Sequence, residues 1–419
     1  MRTREKLALL TSLYLSQGLP FGFFSQAVPI LMRQEGRSLP DVSQATWLMA
    51  PWALKFLWAP LVDRWGWRRL GRRRSWILPL QAASIVLAAC LWRLGAAGVT
   101  AMMGALFVTN LISATQDIAT DGLAVELLDE RERGYGNSVQ VAAYRAGMIL
   151  GGGLLLYAYD KLGPPASFGT MAAILAIATV PIVLHREAPP PASASPAAAP
   201  PGPAAWLEVA RRPGMVAWLA VLVVYKGGEA LAYGMVKPLF VDRGFSLGDI
   251  GLLLGTVGFF AGLVGAVLGG TLVTRAGRAR ALMVAGVLQI VGILGYVAPA
   301  AGLGGAGALA AASVLEHLTG GIATVSLFTV MMDACTGEAG TEYTLQASVV
   351  VIATGAAQFA SGSVAAQLGY TGHFLVGAAA SAVGLGLTVW ALGSASVRAL
   401  IPALGSPPRA HTVPSTPSP

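Results

Sequence analysis

Of the 419 residues, 55% are apolar and only 11% are charged, with a mean hydropathy of +0.65; this leaves too little polar surface to cover a water-soluble core. The net charge of +8 would suit a nucleic-acid partner, but the placement of the basic residues, given below, excludes that class. Cys90 and Cys335, the only cysteines, lie outside any CxxC or metal-ligand spacing, which excludes a disulfide framework and a cysteine metal site.

Apolar runs of roughly 20 residues, each long enough for a spanning helix, recur near 7–32, 43–62, 76–94, 99–122, 137–159, 166–184, 214–240, 249–273, 281–299, 306–332, 345–368 and 372–393. They predict an all-α membrane protein of about twelve transmembrane helices. The N-terminus, Met1-Arg-Thr-Arg-Glu-Lys before an apolar run, imitates a secretory signal. The run continues past Leu15 for a full crossing with no small-residue cleavage site, so it reads as the first helix. Tyr14 and Gln17 within it offer hydrogen bonds to a solute or to a neighbouring helix.

The second run carries Lys55 and leads into a charged loop, Asp63-Arg64, then Arg68, Arg69 and Gly71-Arg72-Arg73-Arg74. A carboxylate at the helix end followed by so many guanidiniums can form ion pairs and cap helix ends in one conformation, which would make the loop a latch. The alternative is a loop that only sets topology. In the fourth run, Asp117 and Asp121 are four apart and share one helical face. Two like charges in a poorly solvated place do not both ionise easily, which suits uptake and release of a proton. Arg145, in the fifth run, has no sequence-local partner; its fork suits a carboxylate or phosphate, or else an ion pair with Asp117 or Asp121.

Residues 185–213 form a Pro/Ala-rich linker that cannot bury a core. Trp206 to Arg212 within it reads as a short amphipathic piece. In the seventh run, Lys226, Glu229, Tyr233 and Lys237 form a stripe too polar to face lipid. Lys226 and Glu229 are spaced to neutralise each other, and Lys237, just before Pro238, is placed to reach the interface. Glu316 and His317 in the tenth run complete the intramembrane ionisable set. The tail from 394 to 419, rich in Pro and Ser, reads as disordered.

With the N-terminus inside, the cytoplasmic segments hold nearly all Lys and Arg, among them Arg72, Arg73, Arg74, Arg211, Arg278 and Arg398, while the opposite side holds only Arg33, Arg37, Arg93, Lys161 and Arg243. This positive-inside pattern accounts for the excess charge without nucleic acid and places both termini in the cytoplasm.

The two halves, 1–184 and 214–393, repeat each other. Pro29-Ile-Leu-Met with Ser38-Leu-Pro-Asp-Val recurs as Pro238-Leu-Phe-Val with Ser246-Leu-Gly-Asp-Ile. Leu61-Val-Asp-Arg-Trp-Gly recurs as Leu272-Val-Thr-Arg-Ala-Gly, and Ile118-Ala-Thr as Ile322-Ala-Thr. Two parallel six-helix halves with solute held near the midplane are the arrangement this predicts.

The loop Asp63-Arg64 with Gly71-Arg72-Arg73-Arg74 resembles the signature loop between helices 2 and 3 of major facilitator transporters. The fuller wording, Lys55-Phe-Leu-Trp-Ala-Pro-Leu-Val-Asp-Arg and Ala114-Thr-Gln-Asp-Ile-Ala-Thr-Asp-Gly, resembles the branch that contains the muropeptide permease AmpG, acetyl-CoA transporters and siderophore permeases. Tyr225-Lys-Gly-Gly-Glu229 and Glu316-His-Leu-Thr-Gly-Gly321 are similar to that branch's C-terminal half. The resemblance implies a major facilitator fold and solute transport. No Walker A, HExxH or GxSxG sequence is present, so neither ATP hydrolysis nor other enzyme activity is expected, and no cofactor or metal.

These features together lead to a proton-coupled permease of the inner (plasma) membrane, monomeric, importing a polar or anionic conjugate. Muropeptide-like and siderophore-like cargo are both open. Efflux of drugs or metabolites, or a receptor that moves no solute, are the alternatives. The proton-coupling candidates are Asp117, Asp121, Glu229 and Glu316; Gln17, Lys55, Arg145, Lys226 and Tyr233 are the candidates for solute binding. Asp63, Arg64, Gly71, Arg72, Arg73 and Arg74 form the gating loop.

Overall fold

The structure is a computed structural model that describes residues 3–58, 61–62, 65–67, 69–95, 99–128, 133–187, 207, 209–335 and 339–405. Asp63, Arg64, most of the linker and the last fourteen positions, 406–419, lie outside the described residues. All described secondary structure is helical. In the first part of the chain these are α1 (Thr3–Gln34), α2 (Leu39–Gln44), α3 (Ala50–Leu54), α4 (Arg74–Gly95), α5 (Val99–Leu127), α6 (Arg133–Ile149), α7 (Leu156–Leu162) and α8 (Pro164–Leu184). In the second they are α9 (Met215–Tyr233), α10 (Val236–Asp242), α11 (Leu247–Leu252), α12 (Phe259–Ala276), α13 (Arg278–Leu294), α14 (Val297–Ala300), α15 (Gly305–Asp333), α16 (Ala339–Gly393) and α17 (Ala395–Leu400).

Among the described residues, eight helices are long and apolar enough to cross a membrane. The last of them, Leu345–Gly393, covers two expected runs, separated by the non-helical backbone of Gly369 at φ 67°. Alpha5, the second run and the α6 path fall outside that number. The second run is not one helix over 43–62: 3₁₀ turns at Ala45–Met49 and Lys55–Leu57 interrupt it. Pro51, with no N–H to donate, stands between them. The fifth run passes through a π turn, Leu150–Leu155, between α6 and α7, and α11 joins α12 through a second one, Leu253–Gly258.

Two compact units divide the chain, and their boundaries differ from the expected halves. The first comprises Met1–Pro200, Tyr233–Phe259 and Gln358–Gly369. Its centre is α1, nearly every turn of which is buried. Alpha1 lies against α6 so closely that a Cβ on Gly147 would fall 2.5 Å from the Leu15 carbonyl oxygen and 2.8 Å from the Leu19 nitrogen. Leu9 and Leu13 of α1 meet Ile77 of α4, Ala119 and Leu123 of α5 and Ile182 of α8 in one apolar cluster. The segment 233–259 joins this unit through its π turn, Leu253–Gly258, which passes the π turn Leu150–Leu155 at Gly255 and Gly152 with no room for a side chain. Ser43 also donates to the Phe359 carbonyl at 2.9 Å, tying in 358–369.

The sequence repeat is visible here as a repeated cap. Ser38 accepts from the Asp41 amide at the start of α2, and Ser246 accepts from the Asp249 amide at the start of α11, at 3.3 and 3.1 Å. Each serine hydroxyl also donates to the aspartate side chain, at 2.6 and 2.8 Å, so both helices begin with the same reciprocal motif.

The second unit comprises Pro201–Ala232, Phe260–Ala357 and Tyr370–Pro419. Its core gathers Met215, Trp218 and Leu222 of α9, Leu282 and Ala285 of α13 and Leu327, Val330 and Met331 of α15. The Trp218 indole donates to Gln346 at 2.7 Å, and Gln346 in turn donates to the Met331 carbonyl at 3.0 Å, so these two side chains are paired inside the core. The described part of the tail, 394–405, departs from expectation. Ser394 caps α17, and Val397, Leu400 and Ile401 are buried against Trp218 and its neighbours. Over 394–405 these three apolar residues outweigh the Pro and Ser content that pointed to disorder.

Candidate functional site

The first unit brings four of the expected polar residues together inside its spanning region. Lys55, at the start of the second 3₁₀ turn, donates to Asp117 of α5 in an ion pair. Its ammonium also lies 5.4 Å from the centre of the Trp52 ring. One turn beyond Asp117, Asp121 accepts from the Tyr14 hydroxyl at 2.8 Å and from the Gln140 amide at 3.3 Å. The two carboxylates therefore differ in kind: one is matched by a cation, the other held by neutral donors. Pairing of Arg145 with either aspartate, one of the two expected roles, is not what the structure shows. Arg145 is half-buried and makes no ion pair among the described residues, which leaves its fork available. Gln17 is buried at 1% exposure with both amide atoms unpartnered.

The second unit holds a separate set. Lys226 of α9 pairs with Glu229, as the spacing of three predicts, and donates to Thr324 at 3.2 Å. His317 Nδ1 lies 3.0 Å from Glu316 and 2.9 Å from the Ser313 carbonyl, and this carbonyl requires the proton to sit on Nδ1. Gly320 separates the two acids: a Cβ there would be 2.7 Å from Glu229 Oε1 and 3.7 Å from Glu316 Oε1. The expected Tyr233 falls in the first unit, where its ring carries the Lys237 ammonium at 4.7 Å. Lys237 is buried, so it does not reach an interface as its position before Pro238 had suggested.

In the gating loop the arginines do find carboxylates, though ones the sequence reading did not single out. Arg73 donates through Nε and Nη2 to Glu126 of α5 at 3.0 and 2.9 Å, and Arg72 joins it on the same oxygen. Glu187 accepts from the backbone amides of Arg73 and Arg74 at 3.0 Å each, on the first turn of α4, where unpaired amides and the helix dipole favour an anion. Gly71, at φ 95°, makes the turn that places them. Arg74 reaches the Val183 carbonyl at the end of α8, at 2.9 Å. A carboxylate near the end of each neighbouring run was the available signal. In the second unit Arg278 and Asp333 form the matching contact at 2.9 Å, between the start of α13 and the end of α15.

The profile of the Major Facilitator Superfamily matches residues 10–343. The chain belongs to the major facilitator superfamily. This major facilitator protein is 30% identical over 345 residues to the anhydromuropeptide permease of Escherichia coli, covering 79% of this chain and 68% of that one. An uncharacterized protein of Haemophilus influenzae is 30% identical over 294 residues, covering 67% and 68%. Among solved structures, an auto-inhibited peptide transporter of the POT family superposes with a TM-score of 0.68 at 12% identity, covering 93% of this chain and 97% of that one. A bacterial homologue of the iron transporter ferroportin, in its inward-facing state, gives 0.63 at 18%, covering 94% and 100%. At such identities these two speak for the fold alone. The chain is thus a multi-pass membrane transporter of small solutes, of a family of carriers rather than enzymes.

Proposed function

We propose that this transporter is a proton-coupled importer of an anionic or polar conjugate in the inner membrane, with Asp117 as the coupling carboxylate. The Lys55–Asp117 ion pair carries the reading: a buried acid matched by one cation, a turn from a second acid, is a group whose protonation releases its partner. Lys55, freed in this way, and Arg145 then face an anionic solute. Glu229 and Glu316 form a reserve pair in the second unit. The kinship with the anhydromuropeptide permease makes an anhydromuropeptide the first solute to assay and a ferric siderophore the second.

In proteoliposomes, Asp117→Asn should abolish accumulation driven by a pH gradient while leaving counterflow exchange in place, because the amide keeps the shape but does not titrate. Lys55→Gln in the same chain should restore folding yield that Asp117→Asn alone loses by orphaning a half-buried ammonium. Undiminished uphill accumulation in Asp117→Asn would rule the role out and move it to Glu229. The orientation, with both termini and the Arg72–Arg74 loop cytoplasmic, rests on the charge asymmetry. Labelling of Ser75→Cys from the periplasm, in a Cys90→Ser, Cys335→Ser chain, would overturn it.

A further inference from the structure

In the second unit, three helices meet around Gly320 of α15. Alpha13 runs opposite to α15: Arg278 at the start of one pairs with Asp333 at the end of the other, and Gly292 packs against Glu316 and Thr319. Gln289, one turn before Gly292, therefore stands level with Gly320. Its amide nitrogen donates to the Tyr225 carbonyl of α9 at 3.2 Å, one turn before Glu229. Glu229 and Glu316 flank the same glycine, as their distances from its missing Cβ show. The junction thus holds two carboxylates, one amide and one ammonium, that of Lys226.

Its hydrogen bonds do not balance. Lys226 serves Glu229 and Thr324, and the Nδ1 proton of His317 goes to the Ser313 carbonyl. Glu316 Oε2 accepts no hydrogen bond, although that Nδ1 lies 3.0 Å away. Gln289 Oε1 accepts none either. Both side chains lie in residues more than nine-tenths buried, at 7% and 3% exposure, where an acceptor without a donor is costly. The remaining titratable groups nearby are engaged elsewhere: the Tyr225 hydroxyl donates to the Leu282 carbonyl at 2.9 Å, and His373 of α16 bonds the Leu231 and Ala232 carbonyls. Alpha12, packed on Gly321, and α13 bring no titratable group to this level. One proton on Glu316 removes both faults. It cancels the negative charge that Lys226 leaves over, and it turns one orphaned acceptor into a donor for the other.

We propose that Glu316 is a second proton site, apart from Asp117, whose carboxyl donates its proton to Gln289 Oε1 while Glu229 stays ionised on Lys226. The two units then each carry a titratable acid, and Gln289, which nothing in the spacing of charges singles out, positions the second one. This deepens the transport reading and rests on it only in treating the proton as one that exchanges with water.

Infrared spectra of the purified full chain, recorded from about pH 9 down to about pH 6, where carboxyls in water stay ionised, test it with no transport step. A neutral carboxyl C=O band should grow toward acid pH and shift in D2O. Glu316→Gln should remove that band, and Asp117→Asn should leave it in place. Gln289→Leu should keep the band and move it to higher frequency, because the carboxyl has lost its acceptor. Spectra of the unaltered chain and Glu316→Gln that coincide in the carboxyl region would overturn the proposal, as would a Glu316 band that does not change with pH. If Glu316→Gln does not fold, Gln289→Leu decides: with no carboxyl band moved, the proposal falls. A band removed by Asp117→Asn alone leaves coupling at Asp117 standing and refutes the second site; a band removed by Glu316→Gln alone does the reverse.

Discussion

Arg33 grips Asp242 with both arms of its guanidinium, Nε to Oδ1 and Nη2 to Oδ2, each at 2.7 Å across 209 residues of sequence. The pair ties the last turn of α1 to the end of α10, inside the first unit. The side chains keep 24% and 28% exposure, so solvent screens them and the contact contributes about 0.5–1 kcal/mol. That is roughly a two- to fivefold bias on any opening at this end. Spin labels at Glu35 and Arg243 in a cysteine-free chain should report a longer, broader distance distribution in Asp242→Asn. An unchanged distribution would mean that packing alone holds these ends together.

Glu187 should matter more for the gating loop than its place at the edge of the linker suggests. It caps the first turn of α4 through the Arg73 and Arg74 amides. Glu187→Gln keeps an acceptor but loses the charge, and should lower stability by about 0.5–1 kcal/mol; Glu187→Ala should lower it by about 1–2 kcal/mol, the range for loss of a helix cap. Thermal unfolding in detergent would rank the two. Equal midpoints for all three chains would show that water replaces the carboxylate without loss.

His185, just past the end of α8, carries a pH dependence of definite sign. Burial lowers its proton affinity, the Arg74 cation lowers it further and Glu187 opposes both. The unfolded chain, with a histidine near 6.5, therefore takes up the proton first. The stability present at neutral pH is lost as pH falls through that value. His185→Gln should flatten the decline of the unfolding midpoint between about pH 7 and pH 5, and parallel declines in the two chains would exclude the histidine as its source.

At the contact between α1 and α6, Gly147→Ala would drive a methyl group into the Leu15 carbonyl, a backbone atom with no freedom to swing aside. The expected loss is about 1–3 kcal/mol. Gly169→Ala, on α8 with open space around the new methyl group, is the control and should be neutral. A neutral Gly147→Ala would show that the two helices separate easily.

Much of this was legible in the sequence where the cause is local. The Lys226–Glu229 pair follows from a spacing of three on one helix. The caps at Ser38 and Ser246 follow from a serine with an aspartate three residues on. The burial of Asp117 and Glu316 and the half-burial of Lys55 follow from their place in apolar runs. Where partners come from distant segments, the spacing of residues along the sequence did not give the pairs. Asp117 meets Lys55, 62 residues away, and not Arg145; the loop arginines meet Glu126 and Glu187.

Composition and periodicity by themselves determined that this chain is a helical membrane protein built on a repeat, because the bilayer demands long apolar helices and a duplicated pattern repeats its local hydrogen bonds. The tertiary structure alone decided which charges neutralise one another, that Lys237 is buried beside a cavity, and that Val397, Leu400 and Ile401 complete a core. Those outcomes depend on which helices pack side by side and on how close a glycine lets them come, and neither distance is written in the spacing of residues along a single helix.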